Sequence, residues 1–483
     1  MESAKSNYFC PMGRKKIKPL FEGLVVIDAG SRGKAVAKAP DGRIVFIPNA
    51  VPGDIVSVQT TRKRKGYYEG FVTELLQPSV ERVTPKCVHF NTCGGCKWQQ
   101  MDYGAQLKYK EKEVTQNLLR IGKVELPSVD PILGAPEIYY YRNKMEFSFS
   151  NNRWLETQEI SEGKEVESRN ALGLHIPGMW DKVLDLKECH LMAPPAEAIR
   201  LGIRAYAEKH GLAFFDPRKQ EGFLRTLMIR NTIKGEVMVV LQFFEEQRQA
   251  REALMGYIRD EFPEVTSLYY VINPKKNDTL YDLDLVHFSG EPFITEEMEG
   301  LKFRITPKSF YQTNSKQAHT LYEKVREFAG LTGNELVYDL YTGLGTIAQF
   351  VAKEAGNVVG IEAVPEAIEA ARENARMNEI GNVSFHAGDM KDLFREDFLR
   401  THGIPEVVIT DPPRDGMHKD VVAQLLSISP SRIVYVSCNS ATQARDLALM
   451  NEAYEVIRVQ PVDMFPQTHH VENIVLLQRR TIP

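Results

Sequence analysis

The sequence predicts a multidomain α/β protein. A small N-terminal β-barrel is expected over residues 1–80, a central α+β domain with a cysteine cluster over 81–305, and a Rossmann-like domain over 306–483. Three observations carry this reading. Short alternating apolar runs broken by turn signals fill the chain as far as Pro78, and three cysteines then fall within ten residues. From about residue 306, apolar strands and amphipathic helices succeed one another regularly.

The N-terminal runs are "FEGLVVIDAGSRGKAVAKA", "GRIVFIPNAV", "GDIVSVQTTRKRKG" and "YYEGFVTELLQPS". Asp41-Gly42 suits a tight hairpin turn and Pro52-Gly53-Asp54 another, which makes an OB-like barrel of short strands. Arg62, Lys63, Arg64 and Lys65 adjoin Tyr67 and Tyr68, pairing phosphate-seeking cations with rings on which bases can stack. Residues 1–80 hold 13 Lys/Arg against 7 Asp/Glu, whereas the whole chain has a net charge of −4. A basic module on an acidic body suits contact with nucleic acid.

The next segment reads "CVHFNTCGGCKWQQ" and carries Cys87, Cys93 and Cys96 around Gly94-Gly95. Glycines let the backbone fold tightly round a small inorganic centre. A fourth thiolate is required, and Cys189 in "LKECHLM" is the best candidate, with Cys10 set in a loose-looking tail. Four thiolates suit a [4Fe–4S] cluster or a structural zinc. The spacing differs from the paired C-x2-C of zinc ribbons, which favours the cluster. His89 and His190 are read as bystanders. Residues 103–121 have helical spacing, and mixed strands and helices follow to about 305.

In the C-terminal region "ELVYDLYTGLGTIAQFVAKEA" is strand, glycine loop and helix. "NVVGIEAV" is a second strand ending at Glu362, "NVSFHAGDM" a third ending at Asp389, "PEVVITDPPRDG" a fourth ending at Asp411, and "RIVYVSCNS" a fifth. Ligands of such sheets bind beyond the carboxyl ends of the strands. The glycine loop lacks the third glycine of the dinucleotide fingerprint, which disfavours NAD. Glu362 can accept both hydroxyls of a ribose, and Asp389 falls where an adenine would lie. With Asp411-Pro412-Pro413, these features together suggest S-adenosylmethionine (SAM). Prolines hold the preceding Asp411 extended, as in loops that present planar nitrogen groups to amino-methylating enzymes. Cys438 then stands where a buried strand opens into a loop, with Glu472 beyond it in "FPQTHHVENIVLL".

The motifs "CVHFNTCGGC", "SFYQTN", "DLYTGLGT", "ITDPPRDG", "VSCN" and "MFPQTHHVE" span nearly the whole chain. By them the sequence resembles the uracil-5 RNA methyltransferases, in the branch with an N-terminal TRAM barrel and an iron–sulfur cluster. That branch includes the bacterial 23S rRNA uracil-5-methyltransferases. The resemblance implies that Cys87, Cys93, Cys96 and Cys189 ligate a [4Fe–4S] cluster. It assigns Gln312, Tyr341, Glu362 and Asp411 to the cofactor, with Thr346 and Asp389 at more variable pocket positions. Cys438 matches the nucleophile, Glu472 the general base, and Asp411 also lies close to the target base. Two departures stand out: Ser440 where the family usually has Pro, and Thr342 where many members carry a second cysteine.

The chemistry needs these residue types independently. C5 of uracil is too weak a nucleophile to take a methyl group from a sulfonium until a thiolate adds at C6. A base must then remove the C5 proton, and the target must leave its stack to enter such a pocket. The resemblance favours 23S rRNA over tRNA as substrate. Other readings stay open: a nitrogen methyltransferase using Asp411-Pro412-Pro413, or a non-enzymatic iron–sulfur RNA-binding or redox module. With 43% hydrophobic and 26% charged residues and no apolar run of 18, the chain reads as a cytoplasmic globular protein without a membrane span, with domains enough to act as a monomer.

Overall fold

The computed structural model describes residues 18–161 and 168–481, so Cys10 lies outside the described residues. The chain divides into two units, Met1–Val83 and Thr84–Pro483.

In the first unit, strands β1 (Leu20–Ala29), β2 (Ala35–Lys38), β3 (Ile44–Ile47), β4 (Ile55–Lys63) and β5 (Tyr67–Gln77) close a barrel in the order β1-β2-β3-β5-β4. Alternate residues point inward, and Val26, Ala37, Val45, Ile47, Val56 and Val58 form its core. Gly70 is required where β5 crosses β4, because a Cβ there would lie 2.6 Å from Val58 Cγ1. The buried Asp54 carboxylate accepts the amides of Val51 (2.7 Å) and Ser79 (2.9 Å) and pairs with Arg82 at 2.6 Å. The strap after the last strand is thereby tied to the barrel. Arg62 to Lys65 form an exposed tip, as the charge pattern predicts. Tyr68 does not match the expectation of a stacking ring. It is 2% exposed, and its hydroxyl donates to Asp41 at 2.7 Å, because strand alternation turns it into the barrel core.

The second unit opens with a helix, Tyr103–Asn117, capped by the Asp102 carboxylate. A mixed sheet follows: β6 (Lys144–Ser150), β7 (Ala171–Ile176), β8 (Met179–Asp185), β9 (Leu224–Asn231), β10 (Val237–Phe243), β11 (Val265–Ile272) and β12 (Val286–Gly290), ordered β12-β11-β10-β9-β6-β7-β8. Every residue of β10 is buried. Val237, Val239 and Leu241 pack under the helices Ala196–Lys209 and Arg248–Glu261, while Met238 and Val240 face a second core with the helix Ser315–Ala329. The period of two thus splits one strand between two cores.

After a hairpin, β13 (Ile294–Met298) and β14 (Leu301–Ile305), comes the last sheet. It comprises β15 (Leu336–Leu340), β16 (Asn357–Glu362), β17 (Val383–Ala387), β18 (Val407–Thr410), β19 (Arg432–Ser437), β20 (Tyr454–Val462) and β21 (Glu472–Arg479), ordered β17-β16-β15-β18-β19-β21-β20. The first five run parallel, and β21 is antiparallel to both its neighbours. Strand order reverses between β15 and β18, which opens a crevice at their carboxyl ends. The helix Tyr103–Asn117 belongs to this part of the molecule: Val114 shares a core with Tyr338, Tyr435 and Leu447. Among the described residues no helix is long and apolar enough to cross a membrane.

Candidate active site

The loop leaving β15 bends through three residues with left-handed backbone, Tyr341 (φ 64°), Gly343 (54°) and Gly345 (71°). Tyrosine adopts this conformation at a cost, and such strain gathers at ligand sites. At Gly345 a Cβ would lie 2.6 Å from Phe385 Cζ. Glu362, at the end of β16, accepts the amide of Gly343 at 3.3 Å and that of Val364 at 3.0 Å, which fixes its carboxylate beside the loop. Beneath the loop, buried Asp339 takes the Thr342 hydroxyl and, at 3.1 Å, the Ala348 amide. Burial still pushes Asp339 up to about 7. Threonine at position 342 thus buttresses the loop.

A cleft opens beside this loop, lined by Phe310, Gln312, Tyr322, Tyr341, Thr346 and Asp411 among others. Gln312 and Asp411 approach to 3.5 Å, and the Thr346 hydroxyl lies 3.2 Å from that of Tyr322. Gln312, Tyr341, Thr346 and Asp411 therefore meet in one cavity, with Glu362 adjoining. Asp389 lies near enough to Tyr341 for its charge to act on that phenol, while its half-exposed carboxylate pairs with Lys391 at 3.1 Å and caps the turn after β17.

Cys438 directly follows β19, and Asn439 caps the helix Ser440–Met450 by accepting the Ala441 amide at 3.1 Å. The Asn439 side chain also donates to the Arg414 carbonyl at 3.0 Å, locking the thiol's loop to the Asp411-Pro412-Pro413-Arg414 segment. Ser440 stands at the first helical position, where proline is equally at home, and accepts a hydrogen bond from Asn117 at 2.9 Å. Serine there ties the loop to the N-terminal helix.

Glu472, 4% exposed, opens β21 next to β19. Burial raises its pKa, the Asp411 charge raises it further, and Arg414 pulls it back. Burial also raises Asp411, with Asp339 adding to it. Cys438 is pushed up to about 12 by burial, then by Glu472 and Asp411, with Arg414 opposing. One thiol and two carboxyls therefore share one field, and their negative charges compete. Arg414 was written in the motif, yet only the fold reveals that it acts on both Cys438 and Glu472. His469 and His470 are both pushed low by burial and held neutral, His470 at about 4.

The four cysteines also meet. Cys87, Cys93 and Cys96 each lie close enough to Cys189 to feel its charge. Two hydrogen bonds bind their loops: Val88 to the Glu188 carboxylate (3.1 Å) and the Lys187 amide to His89 Nε2 (2.8 Å). His190 is engaged at both ring nitrogens, by the Tyr140 hydroxyl and by Glu188. His89 is engaged at Nε2 by the Lys187 amide. Among the described residues, the group with three ligand atoms inside 4.8 Å of one another is Glu299, His319 and Glu323, but Glu299 is already held by Arg326 and Lys353.

Sheet order, strained glycine loop, acidic strand end and strand-end thiol together define an α/β methyltransferase. The family tRNA (uracil-5-)-methyltransferase matches residues 231–480, and the TRAM domain matches residues 24–73. An RNA methyltransferase of Porphyromonas gingivalis is 54% identical over 94% of this chain and 99% of its own length. Another, of Bacteroides thetaiotaomicron, is 53% identical over 93% and 100%. The crystal structure of Pyrococcus abyssi tRNA (uracil-54, C5)-methyltransferase in complex with S-adenosyl-L-homocysteine superposes with a TM-score of 0.73 at 27% identity, covering 94% of this chain and all of that one. The chain belongs to the tRNA (uracil-5-)-methyltransferase family and is an RNA uracil-5-methyltransferase with an N-terminal TRAM barrel.

Proposed function

We propose that the protein methylates C5 of a uridine in 23S rRNA, with SAM as methyl donor and a transient bond from Cys438 to C6. The observation that carries this is the meeting of Cys438, Glu472 and Asp411 at one edge of the sheet, where β18 and β19 end and antiparallel β21 begins, all in one electrostatic field. Once its proton has passed to solvent, the Cys438 thiolate adds to C6, the resulting enolate carries its electrons to C5, and C5 takes the methyl group as the sulfonium becomes a thioether. Glu472 then removes the C5 proton, the C6–S bond breaks, and the ring is restored with the thiolate as leaving group. Asp411 holds the pyrimidine edge. The cleft suits a sulfonium: it is walled by carboxyls, and Glu362 is fixed to receive a ribose. The S-adenosyl-L-homocysteine held by the Pyrococcus abyssi enzyme supports that ligand.

The substrate rests on the pairing of TRAM barrel and cysteine cluster. A second reading, tRNA, is favoured by the full-length match to the Pyrococcus abyssi tRNA enzyme. Mass spectrometry of rRNA and tRNA from cells with and without the gene separates the two. Loss of 5-methyluridine from 23S rRNA is expected, and loss from tRNA alone would overturn the assignment.

Cys87, Cys93, Cys96 and Cys189 would hold a [4Fe–4S] cluster in a structural or RNA-positioning role, since uracil methylation needs no electron transfer. Zinc, the runner-up, bonds sulfur at about 2.3 Å and draws its ligands to within roughly 4 Å of one another. The sequence spacing of the cysteines, unlike the paired C-x2-C of zinc ribbons, supports the cluster, whose cysteines each bind a different iron. The purified protein is expected to be brown and to contain iron. Cys93→Ser is expected to lose both the iron and RNA affinity. A variant that kept its fold and RNA affinity and lost only a redox-dependent rate would contradict this role.

A further inference from the structure

The base sits at the end of a nine-residue connection, residues 463–471, between β20 and β21. The β21 ladder fixes the Glu472 backbone, pairing it with Val462 and setting Asn473 opposite Ser437. The connection itself has no strand partners. Its conformation comes from residues far away in sequence, and these converge on Gln467.

Gln467 has φ 67°, left-handed in a residue other than glycine. Its carbonyl accepts two amides, from Lys97 at 2.9 Å and Trp98 at 3.0 Å, the two residues that follow Cys96. Its own amide donates to Gln106 Oε1 at 2.9 Å, and Gln106 Nε2 returns a bond to Gln467 Oε1 at 3.1 Å. Gln106 has no exposed surface, and the same Nε2 also reaches the carbonyls of Trp98 and Met101. Neighbouring positions are held as well. The Pro466 carbonyl takes the Tyr141 hydroxyl at 3.0 Å, and the Phe465 carbonyl takes Lys110 Nζ at 3.1 Å, with Lys110 paired to buried Asp463 at 2.6 Å. A strained residue persists only where its surroundings over-determine it. From Gln467 the chain reaches the base through one turn, in which the Thr468 hydroxyl donates to Phe465 O (2.8 Å) and accepts from the His470 amide (3.2 Å).

We infer that Gln106 and the Lys97–Trp98 amides are positioning residues for the general base, holding the connection through Gln467 so that Glu472 meets C5. The inference rests on the mechanism proposed above. Its signature is specific: the bond between Cys438 and C6 forms normally, and only its resolution suffers. A displacement of about 1 Å at a reacting group costs up to about 100-fold in rate.

The test is single-turnover methylation of substrate RNA by the full chain, measuring the methylated, denaturation-resistant protein–RNA adduct and released 5-methyluridine separately. Gln106→Leu, checked for folding by its melting curve, is expected to form adduct at the parent rate and to release product about 10- to 100-fold more slowly. Hydrogen exchange on the unmodified protein gives a second reading independent of folding defects: the Gln467 amide should be as protected as those of β21. Parallel loss of adduct and product, unchanged release, or open-loop exchange at Gln467 would overturn the inference. Failure of the parent protein to form any adduct would instead remove the mechanism beneath it.

Discussion

Glu472→Gln is expected to arrest the protein after methyl transfer. The carboxylate is the one group on β21 that the mechanism requires to take the C5 proton, and an amide of the same shape cannot accept it. Loss of a general base lowers a step by about 10²–10⁴-fold. The variant should therefore accumulate a methylated RNA–protein adduct that survives denaturation, while the parent accumulates little. pH sharpens the expectation. Burial and Asp411 raise the Glu472 pKa well above the usual carboxylate range, so the base loses its ionised form while ordinary carboxyls are still charged. Release of 5-methyluridine by the parent should fall as pH drops through that raised value, and the Glu472→Gln residue rate should not follow it. A variant that released product at the parent rate would remove Glu472 from the role.

Much of the site was legible because chemistry and periodicity coincide at strand ends. An apolar run that stops at Cys438 places that thiol at the mouth of a parallel sheet, and the same logic placed Glu362 and Asp411. Glu472 was legible only through resemblance, since it opens a strand antiparallel to its neighbours. The cysteine loop was legible from composition, and the structure brings Cys189 to it across about a hundred residues of chain.

What escaped the sequence was what depends on contact between distant segments. Tyr68 sits among cations in the sequence, but its alternation with Tyr67 buries it. Arg414 carried no assignment in the sequence, and the fold sets it against both Cys438 and Glu472. The tie between Gln106 and Gln467 spans 361 residues, and no local pattern announces it.

Cys438 carries the account. Serine or alanine there leaves no soft nucleophile to add at C6, and turnover should fall by at least about 10⁴-fold while the fold and RNA binding persist. The most direct measurement uses RNA bearing 5-fluorouridine at the target, whose C5 fluorine cannot be removed as a proton. With methyl donor present, mass spectrometry of the digested complex should find the modified nucleotide bonded to the peptide that contains Cys438. No such bond, or parent-level methylation by Cys438→Ala, would contradict covalent catalysis through Cys438.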